Sequence, residues 1–341
     1  MAEAAPLWTA VEALVERAPR PADLYSHRLE LFEARRLRRA GEALSEDLLA
    51  RERRAEIGAL TAPLLLSRVR AAYEGPLLLV KGPEVAARYP DPTLRAFGDV
   101  DLLTEDADGA QRALLAAGFH EVGDPELYLD IHHLRPLSWP GLPLVVEIHS
   151  RPKWVDGLEG PPIAELFAAA VPAAVGVEGL LAPAPAHHAL LLAAHSWAHE
   201  PLRLLRDLID TAALAAEVDR AELEAAARRW GLARLWRSTS TAVDFVLGDA
   251  RRPPAALRIW AQNLERVRER TVLEHHLQRW LSDFWALPPG LALRRLPRVA
   301  KGELLPEGEE GWRRKLARTA LAVRNSTRRR SEHRDELGRP F

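Results

Sequence analysis

The 341-residue chain sets 47 lysines and arginines against 48 aspartates and glutamates, a formal net charge of −1, which argues against nucleic acid or a membrane surface as an electrostatic partner. It contains no cysteine, which excludes disulfides, thiolate zinc sites and cysteine nucleophiles and suits the cytoplasm. Its 48% hydrophobic content is enough to build a core for two domains, or for one domain with helical additions.

Residues 7–74 read as helices, with apolar residues at helical spacing: Leu7, Val11, Leu14 and Val15, then Leu60, Leu64, Leu65 and Val69. The N-terminal stretch is amphipathic and lacks the apolar core of a signal peptide. No run of about 18 apolar residues offers a membrane span. After Gly75-Pro76 the period changes, and Leu77–Val80 reads as a buried strand. A short helix over Glu84–Arg88 ends near Pro90, which cannot continue it. Strand Val100–Leu103 follows, then a helix over Thr104–Ala117 with Thr104 as N-cap and Gly118 as its stop. Phe119–Val122, Tyr128–Leu134 and Leu144–His149 are the next strands, with a turn at Pro140-Gly141. From Ile163 onward the pattern is helical, strongest over Ala186–His199, Leu202–Ala216, Arg220–Trp230 and Leu232–Leu247. Pro253-Pro254 and Pro288-Pro289-Gly290 mark breaks, residues 300–311 a linker, and Trp312–Arg330 a basic last helix.

The chemistry concentrates in Leu77–Leu103. Asp99 and Asp101 occupy alternate positions beside an apolar strand, so their carboxylates leave it on one face. Like charges held that close repel unless a cation intervenes. A divalent metal such as Mg²⁺ is the economical explanation, since it takes one or two carboxylates and completes its shell with phosphate and water. Preceded by Lys81-Gly82, the pair suggests a metal-dependent nucleotidyl-transfer site.

The pattern Lys81-Gly82, Tyr89-Pro90-Asp91-Pro92, Arg95, Gly98-Asp99-Val100-Asp101-Leu102-Leu103 and Val145-Val146-Glu147-Ile148-His149 resembles an uncharacterised bacterial nucleotidyltransferase family of the DNA polymerase β-like superfamily. The resemblance spans roughly residues 60–215 of the sequence. Lys81-Gly82 replaces the Gly-Ser turn usual in the superfamily, and the spacing from that turn to the acids is longer than in minimal members. The resemblance implies that Asp99 and Asp101 hold Mg²⁺ (or Mn²⁺) and that Glu147 supplies a third carboxylate. It also implies a nucleoside triphosphate as co-substrate. Glycine at 82 lets backbone approach the triphosphate, a helix beginning at Pro83 aims amides at it, and Lys81 and Arg95 add cations.

Histidines form a second cluster. His149 shares a strand face with Glu147, His132 and His133 precede it, and His188, His195 and His199 fall within about 40° on a helical wheel. His149 and His195 are assigned to the nucleotide site, with His199 as the alternative to His195. Asp207 and Asp210 are candidates to cap helices or pair with arginines.

The expected fold is α+β: a small mixed-sheet nucleotidyltransferase core over residues 75–160. An N-terminal helical segment (1–74), a helical domain (161–299) and a linker with a basic tail (300–341) surround it. The expected activity is transfer of an NMP group from an NTP, ATP first, to a hydroxyl or phosphate on a small molecule, peptide or protein. The alternative is an inactive nucleotide-binding regulator or antitoxin-like protein on the same fold; a missing third carboxylate would favour it, and an assembled Asp99–Asp101–Glu147 triad would count against it.

Overall fold

The computed structural model describes residues 4–128, 132–248, 257–306 and 311–329. Four helices come first: α1 (Ala4–Glu16), α2 (Pro21–Ser26), α3 (Glu30–Ala40) and α4 (Glu46–Ala72). α4 begins where the Ser45 hydroxyl accepts the Leu48 amide at 3.3 Å, with Glu46 and Asp47 in its first turn, where acids suit the helix dipole. Leu48, Ala55, Ala62, Leu65, Leu66 and Val69 make its buried stripe.

Seven strands form one mixed sheet: β1 (Leu78–Leu79), β2 (Asp99–Leu103), β3 (His120–Glu121), β4 (Leu137–Ser138), β5 (Val145–His149), β6 (Val171–Pro172) and β7 (Leu181–Ala182). Their order is β3-β4-β5-β2-β1-β7-β6. The two longest strands, β2 and β5, run parallel, with Asp101 opposite Glu147 and Leu103 opposite His149. β1 lies antiparallel to β2 and parallel to β7. Three helices sit among the strands: α5 (Pro83–Ala86), α6 (Ala107–Ala116) and α7 (Ile163–Ala168). The helical remainder comprises α8 (Pro185–His199), α9 (Leu205–Ala215), α10 (Arg220–Arg229), α11 (Ala233–Leu247), α12 (Leu257–Trp260), α13 (Gln262–Glu265), α14 (Val272–Ala286), α15 (Pro289–Leu304) and α16 (Trp312–Arg324). The fold is α+β with a helical C-terminal part. Among the described residues no helix is long and apolar enough to cross a membrane.

Alternation along β2 and β5 separates two environments. Val100, Leu102, Val146 and Ile148 point to the back, where they share a core with Leu65, Leu66 and Val69 of α4 and Ala110 and Leu114 of α6. The opposite face carries Asp99, Asp101, Glu147 and His149. There Leu78 and Leu103 join the larger core that α8, α9 and α11 build.

Several boundaries depart from expectation. Thr104 is no N-cap: its amide continues the pairing of β2 by donating to the His149 carbonyl at 3.1 Å. Asp106 caps α6 instead, accepting the Gly109 amide at 2.8 Å. Of the expected Tyr128–Leu134 strand, Tyr128 ends a short 3₁₀ turn (Pro125–Tyr128), and residues 129–131 lie outside the described residues. The end of that segment keeps a bridge to β5, His133 opposite His149, with the Leu134 amide donating to the Ile148 carbonyl at 2.8 Å. The strand beside β5 lies further on at Leu137–Ser138, with Leu137 buried in the back core. The segment read as helical from Ile163 includes β6 and β7, so the sheet draws on residues beyond 160. α9 starts at Leu205 rather than Leu202, whose φ of 52° is incompatible with a right-handed helix. α15 continues through Leu304 into the expected linker, and α16 stops at Arg324. Pro253-Pro254 and residues 307–310 and 330–341 lie outside the described residues.

One buried ion pair ties the helical part to the sheet. Arg95 donates from Nε and Nη2 to Asp210 at 2.8 and 2.7 Å, and from Nη1 to the Gly82 carbonyl at 3.2 Å. The Tyr89 hydroxyl donates to the same carboxylate at 2.6 Å. Removing one partner of such a pair leaves a buried charge unmatched, at a cost of about 3–5 kcal/mol. Urea denaturation of Asp210→Ala is therefore expected to show a loss of about that size, whereas Glu52→Ala, which frees the exposed Arg38, loses far less. Equal losses would contradict this role for the pair.

Candidate active site

Beyond β1 the chain turns at Gly82 with φ 60° and ψ −123°. A Cβ on this residue would lie 2.7 Å from the Asp99 carbonyl oxygen, closer than any real contact. Glycine is thus required so that the turn can press against the start of β2. The fork of Arg95 anchors the same turn from behind, through the Gly82 carbonyl. Lys81 is thereby held beside the acids and lines the same cleft.

Asp101 is buried, Glu147 half-buried, and Asp99 exposed at the first position of β2. His149 donates from Nε2 to Asp101 Oδ1 at 3.0 Å. Glu147 Oε2 lies 3.8 Å from that nitrogen and 3.9 Å from His133 Nε2. Asp101 Oδ2 is buried without a hydrogen-bond partner, an expensive state for a carboxylate oxygen. Ligand atoms of Asp101, Glu147 and His149 all fall within 4.8 Å of one another; Asp99 stands outside this group, at the mouth. Burial pushes the Glu147 carboxyl up to about 7, helped by the charges of Asp101 and Asp99. Burial also opposes ionisation of Asp101, but the His149 hydrogen bond and the Lys81 charge outweigh it and hold this group well below the usual carboxylate range. Side by side, one carboxyl is kept ionised and its neighbour is driven towards neutrality.

The histidine-bearing face of α8 meets two lysines. Lys81 Nζ donates to the imidazole of His195, and Lys153 Nζ donates to that of His199 at 2.8 Å. The two rings lie 4.6 Å apart. Burial and the Lys81 charge lower the His195 pKa strongly; burial and Lys153 bring His199 to about 4. Both imidazoles are therefore neutral acceptors that position ammonium groups. Burial lowers the pKa of each lysine as well. His188, one helical face with these two, instead turns to the Val80 carbonyl. His132 and His133 pack against His149 with ring centroids 5.3 and 5.1 Å away.

Asp99, Asp101, Glu147, Lys81, Lys153, His132, His133, His195 and His199 line one cleft of about 1110 Å³ between the sheet, the link joining α2 to α3, α8 and the start of α9. Lys81, Gly82, Arg95, Asp99, Asp101, Glu147 and His195 all border it, while His149 borders a smaller pocket next to it that Lys81, Asp101 and His195 share. Arg95 reaches the cleft already committed to Asp210. Four other lining residues, Arg28, Lys153, Arg203 and Arg206, were not among the expected site residues. Lys153 had a signal, lying four residues beyond His149 at the exit of β5. Arg203 and Arg206 lie in the same run as Asp207 and Asp210. Arg28 had none, because only tertiary packing brings the link after α2 to α9.

Comparison with curated proteins returns no match. The family model described as uncharacterised nucleotidyltransferase matches residues 25–244, well over half of the chain. That span runs from the Arg28 link through the sheet and α8–α11, and so contains every cleft residue named above. The chain belongs to this uncharacterised nucleotidyltransferase family.

Proposed function

We propose that the cleft transfers a nucleoside monophosphate group from an NTP, ATP first, to an acceptor hydroxyl or phosphate, in a metal-dependent reaction. The observation that carries this reading is the in-register pair of Asp101 and Glu147 with Asp101 Oδ2 buried and unpartnered. Two adjacent carboxyls with an orphaned oxygen fit a hard divalent cation, Mg²⁺ or Mn²⁺, better than any side chain present. Asp101, Glu147 and Asp99 would hold it. When bound, such an ion supplies positive charge to the phosphoryl oxygens and to the attacking oxygen.

The protein's own groups account for the rest. His149 orients Asp101, occupying Oδ1 and leaving Oδ2 without a protein partner. Lys81 and Lys153, steered by His195 and His199, present ammonium groups to the leaving pyrophosphate. Glu147 orients the acceptor hydroxyl. Residues 75–160 form the catalytic core in this reading, joined by β6 and β7, with segments 1–74 and 161–299 as its walls and 300–341 as an appendage. Asp101 and Glu147 stand together while Asp99 lies outside their group, so only two of the three carboxylates that would count against the inactive, partner-binding alternative are assembled.

In a thermal-shift panel of NTPs with Mg²⁺ or Mn²⁺, wild type is expected to gain stability, roughly 2.7 kcal/mol at a hundred times Kd. The gain should vanish in Asp99→Asn/Asp101→Asn; no gain with any nucleotide would contradict the reading. A second expectation concerns pH. The folded-state pKa of Glu147, about 7, lies above its ordinary 4.5, so its contribution to stability is complete below about pH 4.5 and lost as pH rises through about 7. In chelator, the Tm of wild type should therefore fall between about pH 5 and 8, and Glu147→Gln should flatten that decline. Parallel curves for the two proteins would contradict the assignment.

A further inference from the structure

We propose that the acceptor is itself a phosphate-bearing molecule, seated on an arginine wall formed by Arg28, Arg203 and Arg206. This inference rests on the nucleotidyltransferase reading and names the second substrate of that site. Two cationic walls from different elements border the cleft. Lys81 and Lys153 extend from the sheet under α8. The arginines come from the α2–α3 link and from the first turn of α9 with the residues before it.

The arginine wall is underpaired. Arg28 feels the like charge of Arg206 most strongly and that of Arg203 as well, against Asp207 and Asp99. It lines the cleft with no side-chain hydrogen bond or ion pair among the described residues. Its backbone is held at φ 59°, a left-handed conformation unfavourable for a non-glycine residue that persists where the surroundings impose it. Arg206 donates from Nη1 to the Ala96 carbonyl at 3.4 Å, while its Nε is buried with no partner. Arg203 is partly satisfied by Glu200 at 2.9 Å. Guanidinium forks match phosphate oxygens in pairs.

The room in the cleft and the separate origin of its two cationic walls assign the arginines to a second substrate. The cleft, at about 1110 Å³, lies just above the roughly 300–1,000 Å³ of pockets that hold a single small ligand and has room beyond one. In an in-line displacement the entering and leaving oxygens stand on opposite sides of the α-phosphorus. An acceptor oxygen forms the new bond to that phosphorus, and the bond to the α–β bridging oxygen breaks. Pyrophosphate departs with the electron pair and the acceptor proton goes to solvent. With the lysines serving pyrophosphate, a separate cationic wall is left for the entering molecule.

Calorimetric titration of the full chain tests this in two arms. The first titrates a non-hydrolysable ATP analogue with Mg²⁺ into wild type and Arg28→Gln/Arg206→Gln; affinities within threefold are expected. The second titrates inorganic phosphate into each protein saturated with that analogue. Wild type is expected to bind phosphate, and the variant at least tenfold more weakly. Arg28→Gln alone, at an exposed position, carries both arms if the double variant does not fold. A tenfold loss of analogue affinity in the variant would give the arginines to the donor and overturn the proposal, as would analogue-loaded wild type that takes up no phosphate or holds it as tightly as the variant does. Failure of wild type to bind the analogue at all would bring down the nucleotidyltransferase reading itself, and it would show in the first arm alone.

Discussion

The parallel register of β2 and β5 is the constraint from which the cleft follows. It sets Asp101 directly beside Glu147, at the few-ångström separation of cross-strand neighbours, on a face roofed by helices. Two ionised carboxylates cannot share such a place without compensation. The chain answers in three ways: a hydrogen bond from His149 to Asp101, the ammonium of Lys81 nearby, and a Glu147 carboxyl displaced towards its neutral form. Each is partial. The unpartnered Oδ2 of Asp101 marks what is left over, and a divalent cation would discharge it.

Around that pair, several residues expected at the phosphate are held by the protein's own groups instead. Arg95, the fork expected at the phosphate, instead locks Asp210 of α9 to the Gly82 turn. Gly82 is needed for the approach of its own turn to Asp99, a demand made by the protein's backbone whether or not a triphosphate is present. His195 and His199 are acceptors for lysine ammonium groups. In each case charge or strain is absorbed one contact away from the acids, and Asp99, Asp101, Glu147, Lys81 and Lys153 are left lining the cleft.

Much of this was legible in the sequence, and the exceptions have physical causes. Alternation in Asp99–Leu103 and Val145–His149 shows which side chains share a face, because the strand period leaves no other arrangement. The helices α8, α10 and α11 are long enough for their spacing to be unambiguous. β6 and β7, with two residues each, are too short to display any period. Thr104 is a good N-cap by type, but the β2 ladder claims its amide first. Whether Arg95 meets phosphate or carboxylate depends on Asp210, 115 residues away in sequence. Arg28 is invisible for the same reason, since nothing local relates the α2–α3 link to α9.

Diffraction from crystals grown with Mn²⁺ and a non-hydrolysable NTP analogue, recorded at the manganese edge, tests the central claim most directly. An anomalous peak at Asp101 Oδ2 and Glu147, with analogue phosphate beside it, is the expected result. A cleft that takes up the analogue without manganese at these carboxylates, or manganese bound only elsewhere, would contradict it.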